Sequence, residues 1–200
     1  MMVTLGSKKT FLHRLACRFL GERRGTAAVE MAFIAPILVT LLLGMVEVVD
    51  VLLVDRKVTT MTNSVADLVS RVREIDSTGL DDVFAASEAI MQPFSGANAT
   101  VDVISIVRDV DNNITVHWSD SSGGTPPYAQ GAVYPEALPN GVLAVNESLI
   151  LAKGSYSYGG PITNFFFSAF TLDTQYYAKP RRSRTVLFCD DLSLDDPTCV

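Results

Sequence analysis

The chain has 200 residues, of which 48% are hydrophobic and 19% charged, and its formal net charge is −6. Six basic residues and one acidic residue precede Gly25, a charge of +5, which leaves −11 of that total for the rest of the chain. Such an acidic body argues against nucleic acid and anionic lipid headgroups as its partners.

The longest apolar stretch runs from Thr26 to Val54, and only Glu47 and Asp50 interrupt its second half. At about 1.5 Å per residue, a helix over 26–54 measures about 43 Å, more than the roughly 30 Å core of a bilayer. A cleaved secretory signal has a shorter apolar core and a small-x-small site, which this stretch lacks. The pattern predicts a transmembrane helix over 26–54, with a buried core helix as the alternative.

The flanks of this stretch predict its orientation. The preceding tail, residues 1–25, is strongly basic, whereas Asp55, Arg56 and Lys57 on the other side are nearly balanced. Because basic residues stay in the cytoplasm, the tail is expected to be a cytoplasmic leader and the body to lie outside.

A carboxylate near the start of the apolar stretch is costly in a bilayer and usually has a partner. This residue, Glu30, follows Gly25-Thr26 by one helical turn. Cleavage after Gly25 would create an ammonium at Thr26 that could pair with Glu30, in the same chain or in a neighbour. The alternative is an uncut anchor with Glu30 at the inner membrane interface.

A basic tail, a Gly, four small or apolar residues, a Glu and an apolar helix make up the type IV prepilin pattern. The segment RGTAAVEMAFIAPILVTLLLGMVEVVDVLLVDRKV is similar to the TadE/TadG family of tight-adherence (Flp) pilus assembly proteins, which are pseudopilin-like. VADLVSR and YYAKPRRSRTV also look like this family. The matched residues are Gly25, Glu30, Pro36, Gly44 and Glu47.

This resemblance implies a single-pass protein of the bacterial inner membrane, with its C-terminal domain periplasmic or extracellular. It also implies a prepilin-type peptidase and other pilus or pseudopilin subunits as partners, besides the lipid bilayer. The residues expected to act in processing are Gly25 and Thr26, and those expected to act in assembly are Glu30 and Glu47.

The outer acidic residues, Glu47 and Asp50, lie three apart on one helical face. They are expected at the outer edge of the bilayer core, where Glu47 could face neighbouring helices. The alternative is an interfacial, solvated carboxylate.

The helix is predicted to continue as an amphipathic stalk over 55–78, ending at Ser77-Thr78-Gly79. Its apolar stripe could pack on the downstream domain or on a neighbouring subunit. The stripe consists of Val58, Met61, Val65, Leu68, Val69 and Val72.

Residues 79–200 are predicted to form one small extracytoplasmic domain, so the fold class is α+β: a long N-terminal helix packed on a small antiparallel sheet. A short helix is expected from Asp81 to Met91, and Phe165–Phe170 is expected in the core or covering the sheet, or else at a sticky interface. Residues 119–141, rich in Gly and Pro, are expected to form an open loop. The predicted strands are 99–110 and 114–118 in a hairpin, 148–158, 175–179 and 184–188.

Enzymatic motifs are missing from the sequence, which has two histidines, His13 and His117, neither with metal-ligand neighbours. Residues 109–113 imitate half a calcium loop, but Ile114 stands where that loop needs Gly, so a hairpin turn is favoured. We therefore expect no catalytic residue, no metal and no cofactor.

The cysteines predict one disulfide. Cys17 is expected to be cytoplasmic and reduced, whereas Cys189 and Cys199 are expected outside, where disulfides persist and where each has only the other as a partner.

Two classes of function follow from the sequence. The first is a structural pseudopilin or assembly factor of a surface pilus. The second is an uncleaved, membrane-anchored extracytoplasmic binding or scaffold module.

Overall fold

The computed structural model describes residues 24–159, 169–189, 192 and 199–200. The chain divides into two compact units, residues 1–46 and 47–200. The first helix, α1, Arg24–Ser70, contributes residues to both units.

In the first unit, α1 is apolar and almost fully exposed. It is the one helix of the described chain that is long and apolar enough to cross a membrane. Only 11% of its most apolar 18-residue window is buried. The first part of α1 is therefore not the core helix of a water-soluble fold, which was the alternative.

In its described residues the second unit, called the domain below, contains the end of α1, a second helix and six strands. These further elements are β1 Glu74–Ile75, α2 Ser77–Met91, a 3₁₀ turn Gly96–Asn98, β2 Ala99–Arg108, β3 Ile114–Ser121, β4 Ser148–Tyr158, β5 Phe170–Ala178 and β6 Leu187–Phe188.

Four of the strands form an antiparallel sheet in the order β3-β2-β4-β5. The later turns of α1 and the apolar side of α2 share one core with the inner face of this sheet. Lys57 of α1 also donates from Nζ to the Ile90 carbonyl oxygen at 2.9 Å, in the last turn of α2. The predicted α+β architecture, a long helix on a small antiparallel sheet, is confirmed.

The opposite face of the sheet has a smaller core, covered by the long segment between β3 and β4. A β-bulge between Ser105 and Ile106 of β2 leaves His117 as the extra residue of β3. As a result Trp118 points into the core on the α1 side, while Val116 belongs to the opposite core.

The end of α1 differs from the sequence-based expectation. The helix ends at Ser70 instead of continuing to 78, and β1 follows it and pairs in parallel with β6. Asp76 then caps α2 by accepting a hydrogen bond from the Gly79 nitrogen at 2.8 Å. Ser77-Thr78-Gly79 was expected to end a helix, yet it begins one, because the Asp76 side chain satisfies a free N–H of the first turn.

The strands match the predictions with shifted bounds. The hairpin of β2 and β3 is confirmed, with Asn112 of its turn at φ 70°, and β4 has the predicted bounds. The two C-terminal segments differ: β5 begins at Phe170, and β6 pairs with β1 outside the main sheet. The predicted loop begins after Ser121, where β3 ends, later than expected.

The apolar stripe of the stalk packs on the chain's own domain, which resolves the alternative left open by the sequence. Val58, Met61, Val65 and Val69 are buried in the core shared with the sheet. Leu68 was expected in this stripe, but it is exposed. Phe165, Phe166 and Phe167 lie outside the described residues, while Phe170 is packed against the core.

Candidate assembly site on the first helix

The predicted processing and assembly residues at the start of α1 are accessible. Gly25, Thr26 and Glu30 are all exposed, in the first two turns of the helix. A Cβ atom built on Gly25 would meet no heavy atom of the described residues within 4 Å. Because Glu30 follows Thr26 by four residues, the two side chains lie on the same helical face. Within the described part of the chain, this segment is therefore exposed and accessible to another protein or to lipid.

The second acidic site lies in the other unit and has a different environment. Glu47 is 2% exposed, and its Oε2 atom is buried without a hydrogen-bond partner in the described structure. It is thus neither the solvated carboxylate considered as an alternative nor a side chain that faces neighbouring helices, as was expected of an assembly residue. The side of the helix that carries Glu47 also carries Val51, Val54 and Val58, which pack into the domain core.

Tyr158 of β4 lies near both Glu47 and Asp50. Burial raises the pKa of the Tyr158 hydroxyl, and the negative charges of Asp50 and Glu47 raise it further. Its hydroxyl oxygen is buried and, in the described chain, has no hydrogen-bond partner. The helix and β4 therefore bring two buried polar groups and a half-buried carboxylate into one region of the domain.

A close approach between α1 and the sheet was not predicted from the sequence. A Cβ atom on Gly154 of β4 would lie 2.0 Å from Oγ1 of Thr62 in α1. The Thr62 hydroxyl donates to the Val58 carbonyl oxygen at 2.8 Å, so it lies against the helix backbone. A glycine inside an apolar strand was the available signal for such an approach.

The outer face of the sheet, which is the face opposite α1, carries a polar cluster that the sequence did not predict. Lys153 of β4 binds Glu136, lies over the rings of Tyr128 and Tyr134, and donates to the Tyr128 hydroxyl at 3.3 Å. Burial of Lys153 by itself lowers its pKa, but the bonds to Glu136 and Tyr128 outweigh that effect and raise it. Burial raises the pKa of Tyr134 to about 12.

An open groove of about 670 Å³ lies beside this cluster. Its polar lining includes Asp102, Lys153, Ser155, Asp173 and Gln175. The groove offers both charge signs, but the part of the chain described here contains no group of three His, Cys, Asp or Glu side chains that could hold a metal.

His117 and Asp109, which were considered as possible metal ligands, have surroundings that are typical of structural residues. Burial lowers the pKa of the half-buried His117. Asp109, in the calcium-like segment, accepts hydrogen bonds from the backbone and the side chain of Asn113 at 2.7 and 3.0 Å, which lower its pKa. This carboxylate therefore closes the β2–β3 turn, as the hairpin interpretation requires.

Cys189 and Cys199 form a disulfide. Next to it, Phe188 and Val200 exchange two backbone hydrogen bonds of 2.9 and 2.8 Å. The C-terminal residues are thereby attached to β6. Cys17 and His13 lie outside the described residues.

Together these features define an α+β protein in which an N-terminal helix of membrane-spanning length leads into a small antiparallel-sheet domain. Residues 25–67 match the family model described as TadE-like protein. Over these residues the chain is similar to the TadE-like family, which is the resemblance that its sequence pattern predicted. The match covers about a fifth of the chain and ends within α1.

The comparison with curated proteins gives no match for this chain. No solved structure matches it either. The TadE-like match suggests involvement in tight-adherence pilus assembly.

Proposed function

We propose that this protein is a minor pseudopilin or membrane assembly factor of a Tad/Flp-type surface pilus. The observation that carries the proposal is the exposed apolar surface of α1 in the first unit, with Gly25 and Glu30 accessible at its start. An apolar helix surface that the described residues leave exposed is suited to lipid and to packing with other subunits. The TadE-like match over residues 25–67 supports the pilus context.

The proposed location is the bacterial inner membrane. The basic tail stays in the cytoplasm, and the acidic domain lies in the periplasm or outside the cell. The Cys189–Cys199 disulfide supports this side for the domain, because disulfides persist in oxidising compartments.

The proposed processing step is cleavage by a prepilin-type peptidase between Gly25 and Thr26. Cleavage removes all six basic residues of the tail, which weakens its cytoplasmic anchoring, and creates an ammonium at Thr26. That ammonium can neutralise Glu30 in its own or an adjacent chain. Helices can then bundle with other pilus subunits at a lower electrostatic cost.

Mass spectrometry of the protein from native membranes tests the processing step. We expect the mature chain to begin at Thr26. Gly25→Leu should accumulate as an inserted precursor, because a bulky side chain blocks approach of the peptidase to the backbone. Gly25→Ala is the size-graded control and should be cut more than Gly25→Leu.

A second variant separates cleavage from assembly. Glu30→Ala should be cut and yet assemble poorly, since the new ammonium loses its carboxylate partner. Copurification with other pilus components measures assembly. Native protein that retains residues 1–25 in piliated cells would overturn the pseudopilin proposal.

The second candidate function is an uncleaved, membrane-anchored binding or scaffold module. The groove beside Lys153 favours it, because Asp102, Lys153 and Asp173 could bind a polar ligand there. Persistent full-length, monomeric protein in native membranes would support this function.

A further inference from the structure

The exposed side of α1 changes from apolar to polar within the second unit. Val48, Val49, Leu52 and Leu53 are apolar and 45–55% exposed. The exposed residues of the next two turns are all polar: Asp55, Arg56, Thr59 and Thr60. Leu52 and Thr59 are seven residues apart, two helical turns, and so lie on the same side of the helix. The boundary between apolar and polar surface therefore crosses α1 just after Leu53.

The buried side of the same turns has the opposite polarity. Glu47 is buried by the domain and Asp50 is half-buried, in the region of Tyr158. In a water-soluble helix the charged residues face outward and the apolar residues face inward. Here the carboxylates face the domain and the aliphatic side chains face outward. This inversion indicates that the medium around Val48–Leu53 is apolar.

The shape of the boundary identifies that medium as lipid. A second protein helix would require an apolar stripe along one side of α1, continuing into the turns after Leu53. Instead every exposed residue up to Leu53 in these turns is apolar, and every exposed residue from Asp55 to Thr60 is polar. A boundary across the helix axis is expected where a helix leaves a bilayer.

We propose that the outer surface of the bilayer reaches Leu53, so that the domain begins inside the membrane's outer layer. The turns from Glu47 to Leu53 rise by about 9 Å, at about 1.5 Å per residue, which is the depth by which the domain enters that layer. Lipid covers the exposed side of these turns, and the domain covers Glu47 and Asp50. The proposal rests on the membrane anchoring in the proposed function.

In this arrangement the domain shields a charged residue of α1 from lipid. A charged side chain inside the hydrocarbon region is costly when lipid surrounds it. The domain keeps Glu47 away from lipid at a depth where the other side of α1 is lipid-covered. Folding of the domain and its position in the membrane are therefore coupled.

Collision accessibility of nitroxide labels tests the depth. Single cysteines are placed at Leu52 and at Thr59 in a Cys17→Ser background of the full chain, reconstituted at one copy per phosphatidylcholine nanodisc. The disulfide leaves Cys189 and Cys199 unlabelled. Oxygen, which partitions into lipid, and a water-soluble nickel(II) chelate are the probes. A label at Leu38 of the first unit reports on insertion itself, and emission of buried Trp118 reports on the fold.

We expect the label at position 52 to collide more with oxygen than with the nickel chelate, and the label at 59 to show the reverse. Position 52 behaving like 59, while 38 remains lipid-like, would overturn the depth proposal and leave the anchor intact. Low collision with both probes at 52 would also overturn it, because protein would then cover that side. Water-like accessibility at 38 would instead defeat the membrane anchoring on which the proposal rests.

Discussion

The two parts of α1 have different partners, although residues 47–54 of the second part, with six apolar residues of eight, are as apolar as the first part. Up to Val46 the helix buries little of its surface in the described chain, whereas from Glu47 to Ser70 it buries one side in the domain core. The same contrast separates the acidic residues: Glu30 is exposed, and Glu47 is buried. Apolar composition therefore does not reveal whether a helical segment stabilises its own fold or is left for lipid and other subunits.

The largest expected effect compares two methionines of α1. Met61 is 0% exposed in the domain core and Met45 is 68% exposed. Met61→Ala should lower the free energy of unfolding of the domain by about 2–5 kcal/mol, through lost contacts and a cavity. Met45→Ala should leave it unchanged. Unfolding in detergent is followed by the fluorescence of Trp118, the single tryptophan, and equal effects would refute the division of α1.

The contact between α1 and the sheet gives the next largest effect. Gly154→Ala should lower the free energy of unfolding by about 1–3 kcal/mol, because its Cβ atom would overlap the Thr62 hydroxyl. Gly159→Ala is the matched control, since a Cβ atom there meets no atom of the described residues within 4 Å. In a Thr62→Ala background, Gly154→Ala should lower the free energy of unfolding by a smaller amount. A neutral Gly154→Ala would argue against the close approach.

The two glutamates of α1 should respond differently when the charge is removed. Glu47→Gln should raise the free energy of unfolding by on the order of 1 kcal/mol, because a buried carboxylate oxygen without a hydrogen-bond partner among the described residues carries a desolvation cost. Glu30→Gln should leave domain stability unchanged and reduce copurification with other pilus subunits. Thermal unfolding of both variants in nanodiscs measures the first effect. If Glu47→Gln instead lowers the free energy of unfolding, the negative charge of Glu47 must interact favourably with another group.

The smallest expected effect concerns the polar cluster on the outer face of the sheet. The hydrogen bond from Lys153, and then those from Tyr128 and Tyr134, hold the pKa of Glu136 below its ordinary value of 4.5 despite partial burial. This stabilisation is present above pH 4.5 and is lost as the pH falls through the lowered folded-state pKa. Because Glu136 is exposed, it should amount to less than about 1 kcal/mol. Acid unfolding curves with and without Glu136→Gln measure it, and identical curves would show no contribution.

Local sequence patterns predicted the elements that depend on local chemistry. The β2–β3 hairpin follows from Val- and Ile-rich runs around Asp111-Asn112-Asn113, and Asn112 adopts the positive φ that such a turn needs. The end of α2 at Met91 was also predicted. These features involve residues a few positions apart, so their physical causes are visible in the sequence.

Features that depend on distant residues were not predictable. The end of α1 at Ser70 coincides with a hydrogen bond from the Arg181 nitrogen to the Ser70 carbonyl oxygen, 2.9 Å long. In the same region β1 pairs with β6, more than a hundred residues later. The polar cluster likewise joins Lys153 to a loop residue, Glu136. No periodicity in the sequence encodes such pairings.

The sequence by itself determined the apolar span, the position of Glu30 after Gly25, the α+β class and the TadE-like resemblance, because these depend on composition and on short, fixed spacings. Only the tertiary structure decided that the stalk packs on its own domain and that Glu47 is buried while Glu30 is exposed. The physical reason is that burial depends on which surface covers a side chain. Tyr158 of β4, whose hydroxyl pKa the charge of Glu47 raises, lies more than a hundred positions further along the chain.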